Sequence, residues 1–203
     1  MFKCQLDTGD IILCKRVNSF GFFWIFDLLI SLFSNSPYVH CALVLRNPTF
    51  IHPSLKGLYV WQSSWEGVPD PQDDKIKLGV QLTKFDTFEQ YIPSKKFVRV
   101  LETGRELFKN EILKRIHETV YDKPYDINPI DWIEAIFQKD IQPQKTSRFW
   151  CSAFVGFVLV QLGLIKKSVD WSILRPCDLS SHSLNPLMIK DIKYSKDTLL
   201  ISP

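Results

Sequence analysis

Hydrophobic positions along this chain fall into short, nearly continuous apolar runs in the first half and into helical spacing in the second. Asp10-Ile11-Ile12-Leu13-Cys14 follows Thr8-Gly9 and predicts a first strand entered from a turn. The stretch from Phe20 to Phe33 carries a single charge and predicts an apolar helix, which Ser34-Asn35-Ser36-Pro37 breaks. Tyr38-Val39-His40-Cys41-Ala42-Leu43-Val44-Leu45 is short and apolar enough for a buried strand. After a turn at Asn47-Pro48 and a loop from His52 to Gly57, the segment Leu58 to Ser64 has strand composition. A polar Pro/Asp loop from Pro69 to Asp74 precedes a strand at Gly79-Val80-Gln81-Leu82, and Phe97 to Leu101 reads as the last clear strand.

The pattern then turns helical, from about Glu106 to Thr119 and again near Asp131 to Phe137. Past Phe149-Trp150-Cys151, apolar residues recur at Phe154, Val155, Val158, Leu159 and Leu162, and Gly163 is positioned to end that helix in a left-handed conformation. Strands first and helices later predict an α+β fold, an antiparallel sheet covered on one side by helices. No internal repeat or low-complexity segment interrupts it. A chain of 203 residues can bury a substantial core, so one domain over residues 1–203 is expected.

Composition narrows the classes. Apolar residues make up 45% and charged residues 23%, the balance of an ordinary globular protein. A net charge of +3 is too small to argue for nucleic acid, and the densest basic group, Lys95, Lys96 and Arg99, reads as a solvated strand edge. The five cysteines (Cys4, Cys14, Cys41, Cys151, Cys177) show no CxxC pairing, which disfavours a zinc site or a disulfide framework. An odd count without an apolar leader fits a reducing compartment, so cytoplasmic residence is expected. Phe20 to Phe33 is short of the roughly 20 apolar residues that span a bilayer. A core helix is the plain expectation for it, with peripheral membrane contact or the wall of an acyl pocket as the alternative.

Two residues stand in settings that carry chemistry. His40 opens an apolar strand, and Cys151 lies in the first turn of a predicted helix, where the helix dipole and free N–H groups favour thiolate. Each alone is more often a core residue; an imidazole within reach of that thiol completes a nucleophilic pair. Cys41 neighbours His40, but alternation points it to the opposite face, so it reads as core. His117 and His182 read as surface histidines. Tyr125 reads equally as a cleft-lining or a packing residue. Asp126 and Asp131 are spaced like solvated or capping residues, and no metal or cofactor is implied.

The order of several short motifs resembles a known family. Leu6-x-x-Gly9-Asp10-Ile11-Ile12, Tyr38-Val39-His40, Gly67-Val68, Phe85-Asp86-x-Phe88-x-x-Tyr91, Lys123-Pro124-Tyr125-Asp126, Trp150-Cys151-Ser152 and Arg175-Pro176-Cys177-Asp178-Leu179 look like the permuted papain-like hydrolases of the NlpC superfamily. The nearest branch is that of the YiiX/YaeF-like amidases, which includes poxvirus proteins. The resemblance implies a circularly permuted papain-like fold, with Cys151 as nucleophile and His40 as base. The family's third polar residue, often Glu, falls at Gln62. A neutral amide there can accept the imidazole N–H and fix its tautomer. His52 and Glu66 are rivals for that role; His52 stands at a spacing like that of the lecithin:retinol acyltransferase branch. The resemblance thus implies a thiol hydrolase cutting an amide or related acyl bond, its substrate a peptide, an amide or an acyl lipid. Two alternatives stay open, a lipid acyltransferase or phospholipase-like thiol enzyme and a catalytically inactive binding member.

Overall fold

The β-branched and apolar runs near the N-terminus assemble as neighbouring strands of one sheet. The computed structural model describes residues 5–16, 36–91, 94–126, 146–183 and 187–200. The expected helices over residues 20–33 and near Asp131 to Phe137 lie outside the described residues, as do Cys4 and Asp131. Strands β1 (Ile11–Arg16), β2 (Tyr38–Arg46), β3 (Leu58–Trp65), β4 (Leu78–Lys84), β5 (Ser94–Arg99) and, near the C-terminus, β8 (Thr198–Leu199) form a sheet in the order β4-β3-β2-β1-β5-β8. Every pairing in it is antiparallel. β6 (Leu101–Thr103) and β7 (Lys193–Tyr194) make a separate ribbon. Among the described residues the α-helices are α1 (Phe85–Tyr91), α2 (Asn110–Val120) and α3 (Cys151–Gln161), so the class is α+β. Gly163 follows α3 with φ 77°, the left-handed stop that its position predicted.

Both faces of the sheet are covered, where one was expected. On one face Leu13, Cys41, Leu43, Leu45, Trp61 and Leu82 pack with Phe154, Val155, Val158 and Leu159 of α3. On the other, Ile12, Ala42, Val44, Val60 and Val98 pack with Phe88 of α1. Strands that are apolar without alternation are those buried on both sides. Each such side chain contributes roughly 1.5–3 kcal/mol, so neither face can be left bare. Residues 151–160 of α3 are buried on all sides, so the helix that carries Cys151 is a core element.

The C-terminal strands change two further expectations. The run Phe97 to Leu101 is broken at Val100, because Leu101 N donates to the buried Asp10 Oδ1 at 2.9 Å and Val100 N to Ser195 Oγ at 2.9 Å, drawing the chain into the second ribbon. β8 pairs with β5, so β5 is no sheet edge. Lys95 is exposed, but Lys96 is 7% exposed and Arg99 is fully buried, donating to the carbonyls of Ser195 and Leu179 at 3.0 and 3.1 Å. No described helix is long and apolar enough to cross a membrane.

His182 is exposed as expected, whereas His117 is half-buried. Gln72 Nε2 donates to Asp70 Oδ2 at 2.6 Å, which turns Gln72 Oε1 toward His117 Nε2 at 2.7 Å, so that nitrogen carries a proton. Burial, then the Lys77 ammonium, pushes His117 down to about 4. Its folded value lies below the unfolded one near 6.5, so the stability it contributes is full above pH 6.5 and is lost as pH falls toward 4. We expect an NMR titration of His117 with a midpoint near 4 and a melting temperature that drops across that window. A midpoint near 6.5 contradicts this.

Candidate active site

The start of α3 is held from two sides. Gly79 sits at φ 149°, and a Cβ on it would stand 2.3 Å from the Lys123 carbonyl, so only glycine lets the Lys123–Asp126 segment lie this close to β4. Val80 N donates to Lys123 O and Tyr125 N to Leu78 O, at 2.9 and 3.1 Å. That segment in turn carries Phe149: Phe149 N donates to Pro124 O and Asp126 N to Phe149 O, both at 3.1 Å. From the other side, Trp150 Nε1 and Ser152 Oγ both donate to Leu174 O, at 3.1 and 2.6 Å. The Ser152 hydroxyl is thereby committed to structure. Cys151 is fixed between these anchors and is 2% exposed.

β2 and β3 open where Cys151 arrives. Their ladder runs from Arg46↔Leu58 to Leu43↔Trp61 and goes no further toward His40 and Gln62. Ser63 Oγ instead donates to Phe149 O at 2.6 Å, so the chain entering α3 takes up the open end. Val44 N donates to Asp10 O on the β1 side, and alternation then turns the Cys41 N–H toward β3. With no β3 partner there, that N–H hydrogen-bonds the Cys151 sulfur, as the Cys41 thiol does. His40 reaches the same sulfur from the neighbouring position.

Charge is stabilised on both partners. The Cys151 thiol is held well below its ordinary range: the Cys41 thiol's hydrogen bond is the leading cause, burial opposes it, and the charge and hydrogen bond of His40 and the Cys41 N–H add to it. Burial by itself disfavours a charged His40, but the charge and hydrogen bond of Cys151 outweigh it, with Glu66 and Gln62 adding to them, and the imidazole is pushed up to about 9. Both shifts act in the same sense, toward a thiolate beside an imidazolium. His40 Nε2 and Gln62 Oε1 are 2.8 Å apart. Gln62 is fully buried, and its Nε2 donates to Glu66 Oε1 at 2.9 Å and to Thr83 Oγ1 at 3.1 Å.

Cys151, His40 and Gln62 thus come together, and the remaining candidates separate. His52 is exposed and bonds Ser54 Oγ at 2.7 Å, away from His40, so it does not take the third position. Glu66 stands one step behind Gln62. Tyr125 packs against the main core, and Asp126 lies 3.8 Å from Arg148. Among the described residues no group of three or more His, Cys, Asp or Glu side chains could hold a metal ion.

Cys41 is a core residue, as alternation along β2 predicted, but its role does not end there. It does lie on the face opposite His40, but that face is where α3 packs, so Cys41 adjoins Cys151. The only sequence trace of this is its place beside His40 at the start of a strand. We expect Cys41→Ala to raise the pH at which Cys151 is half-alkylated by iodoacetamide and Cys41→Ser, which keeps a donor, to restore it in part. Cys177→Ser serves as the control, and an unmoved profile in Cys41→Ala removes Cys41 from the site. No family model matches this chain, and no curated protein matches it.

Proposed function

We propose that this protein is a thiol hydrolase, peptidase- or amidase-like, built on a permuted papain-like fold and cutting an amide or related acyl bond. The observation that carries the reading is the Cys151–His40–Gln62 arrangement, a buried thiol at a helix start paired with a half-buried imidazole whose second nitrogen is held by an amide oxygen. The Cys151 thiolate attacks the substrate carbonyl carbon, and the carbonyl electrons move onto oxygen. Backbone N–H groups in the first turn of α3, which have no intrahelical acceptor, are donors for that oxyanion. His40 gives its proton to the leaving group as the C–N or C–O bond breaks, leaving a thioester on Cys151. Water then loses a proton to His40, attacks the thioester and releases the acid, and the proton returns the pair to its starting state.

The other motifs that carry the family resemblance have structural work in this chain. Asp10 is fully buried and accepts from Asp7 N, Leu101 N and Arg105, tying the first strand to the second ribbon. Arg175 and Asp178 close a capping box on the short helix Pro176–Leu179, which packs on β2 behind the site. The hydrolase reading is favoured over the acyltransferase one because His52 stands apart from His40.

The test is alkylation of the purified protein by iodoacetamide at pH 6, followed by a panel of peptidyl and acyl electrophiles. The reading expects Cys151 to be labelled ahead of Cys14, Cys41 and Cys177, and at least one carbonyl electrophile class to be trapped there. A Cys151 no more reactive at pH 6 than the other cysteines excludes a thiolate nucleophile.

A further inference from the structure

The end of β3 that carries Gln62 also carries a carboxylate for which the reaction as written has no use. Glu66 Oε1 accepts from Gln62 Nε2 at 2.9 Å and from Ser64 Oγ at 2.6 Å. An ionised carboxylate only accepts hydrogen bonds, so the Gln62 amide must present its nitrogen to Glu66. The same nitrogen donates to Thr83 Oγ1 at 3.1 Å. The Gln62 carbonyl oxygen is left facing His40 Nε2 at 2.8 Å, and an oxygen there can only accept. Turning the amide over would set oxygen against oxygen at Glu66 and put two donors face to face at His40.

We propose that Glu66 is a positioning residue of the thiol site, the carboxylate end of a Cys151–His40–Gln62–Glu66 chain that sets the Gln62 amide and so holds the neutral His40 proton on Nε2. His40 Nδ1 is then the nitrogen that exchanges a proton with Cys151 through the cycle. This inference rests on the hydrolase reading above and adds a residue to it. It also explains how an amide can serve beside the imidazole: the negative charge is kept, moved outward by one hydrogen bond, and Ser64 steadies it. The groups that face His40 are Cys151 from α3, Gln62 and Glu66 from the end of β3, and Cys14, its register partner on β1, while Cys41 on the opposite face of β2 acts on Cys151. Glu66 is the carboxylate among them.

The chain makes a specific expectation for Gln62→Glu. That carboxylate would lie against Glu66, and two carboxylates this close share a proton rather than both ionise. The single change therefore adds little negative charge at His40, whereas the double change Gln62→Glu with Glu66→Gln restores one amide and one carboxylate in exchanged positions.

The experiment is ¹⁵N NMR of His40 across pH in the full-length protein, reading both its midpoint and which ring nitrogen is protonated, with a melt recorded for each variant. We expect Glu66→Gln, nearly isosteric, to lower the His40 midpoint by about one pH unit through loss of the charge. Glu66→Ala, which also frees the amide, should mix the two tautomers above that midpoint. The exchanged double variant should bring the midpoint back to the parent's value or higher. A parent His40 raised above its ordinary value, with midpoint and tautomer unmoved in both Glu66 variants, overturns the role of Glu66 and leaves the hydrolase reading standing. A parent His40 near its ordinary value together with a Cys151 unreactive at pH 6 overturns both. Should Glu66→Ala melt early, Glu66→Gln and the exchanged pair decide the matter.

Discussion

Cys151→Ala should leave a folded protein with no turnover, and Cys151→Ser should do the same. The Cys151 sulfur is the protein atom that forms the covalent intermediate in the proposed cycle, and loss of a nucleophile of this kind costs on the order of 10⁶-fold. Serine does not replace it, because a hydroxyl does not ionise beside an imidazole as a thiol does. Stability should change far less than activity. Breaking a buried ion pair costs about 3–5 kcal/mol when the surviving charge stays buried and unpaired. His40 escapes most of that by losing its proton, since its charge is held chiefly by Cys151 against burial. The His40 midpoint, about 9 in the parent, should therefore fall in Cys151→Ala. Hydrolysis assays, thermal melts and a His40 titration check the three parts. Parental activity in Cys151→Ala, or loss of soluble protein in both variants, counts against Cys151 as nucleophile.

His40→Ala should cost nearly as much activity, and it has a signature that activity alone does not show. Without the imidazolium, Cys151 keeps the hydrogen bonds from Cys41 but loses a positive charge in a buried site, so its thiol moves back up toward the ordinary range. A thiol of ordinary value, near 8.5, is about 3% ionised at pH 7, so alkylation at neutral pH should slow by up to about thirtyfold and recover at alkaline pH. In the parent, turnover needs Cys151 as thiolate and His40 as imidazolium together. Activity should hold across neutral pH and decline as pH rises through about 9, where His40 loses its proton. Identical alkylation rates for parent and His40→Ala between pH 5 and 9 would show that the two side chains are uncoupled.

The fold was legible wherever local pattern decides the element. The apolar runs at Ile11, Tyr38, Leu58 and Gly79 are strands within a residue or two of their expected limits, and the spacing after Cys151 is a helix that ends at Gly163. Burial on both faces was also written there, since β1 and β2 do not alternate. What could not be seen locally came from distant partners. Arg99 reads as an edge residue until β8, about a hundred residues later, pairs with β5 and buries it. His117 reads as a surface histidine until the loop carrying Gln72 and Lys77 folds against it.

At the site the same division holds. Gln62 is reached only through the family resemblance, whereas residue type and local setting single out His40 and Cys151 on this chain alone, a histidine opening an apolar strand and a cysteine in the first turn of a helix. Those are properties of a residue and its nearest neighbours along the chain, and sequence carries them in full. The tertiary structure alone decided that the β2–β3 ladder stops at Leu43↔Trp61. That break puts Cys151 against Cys41 as well as His40, leaves His52 outside, and sets Glu66 behind Gln62. Alternation along a strand says which face a side chain takes, but not what packs on that face or where a neighbouring strand lets go, because both depend on contacts with segments far away in sequence.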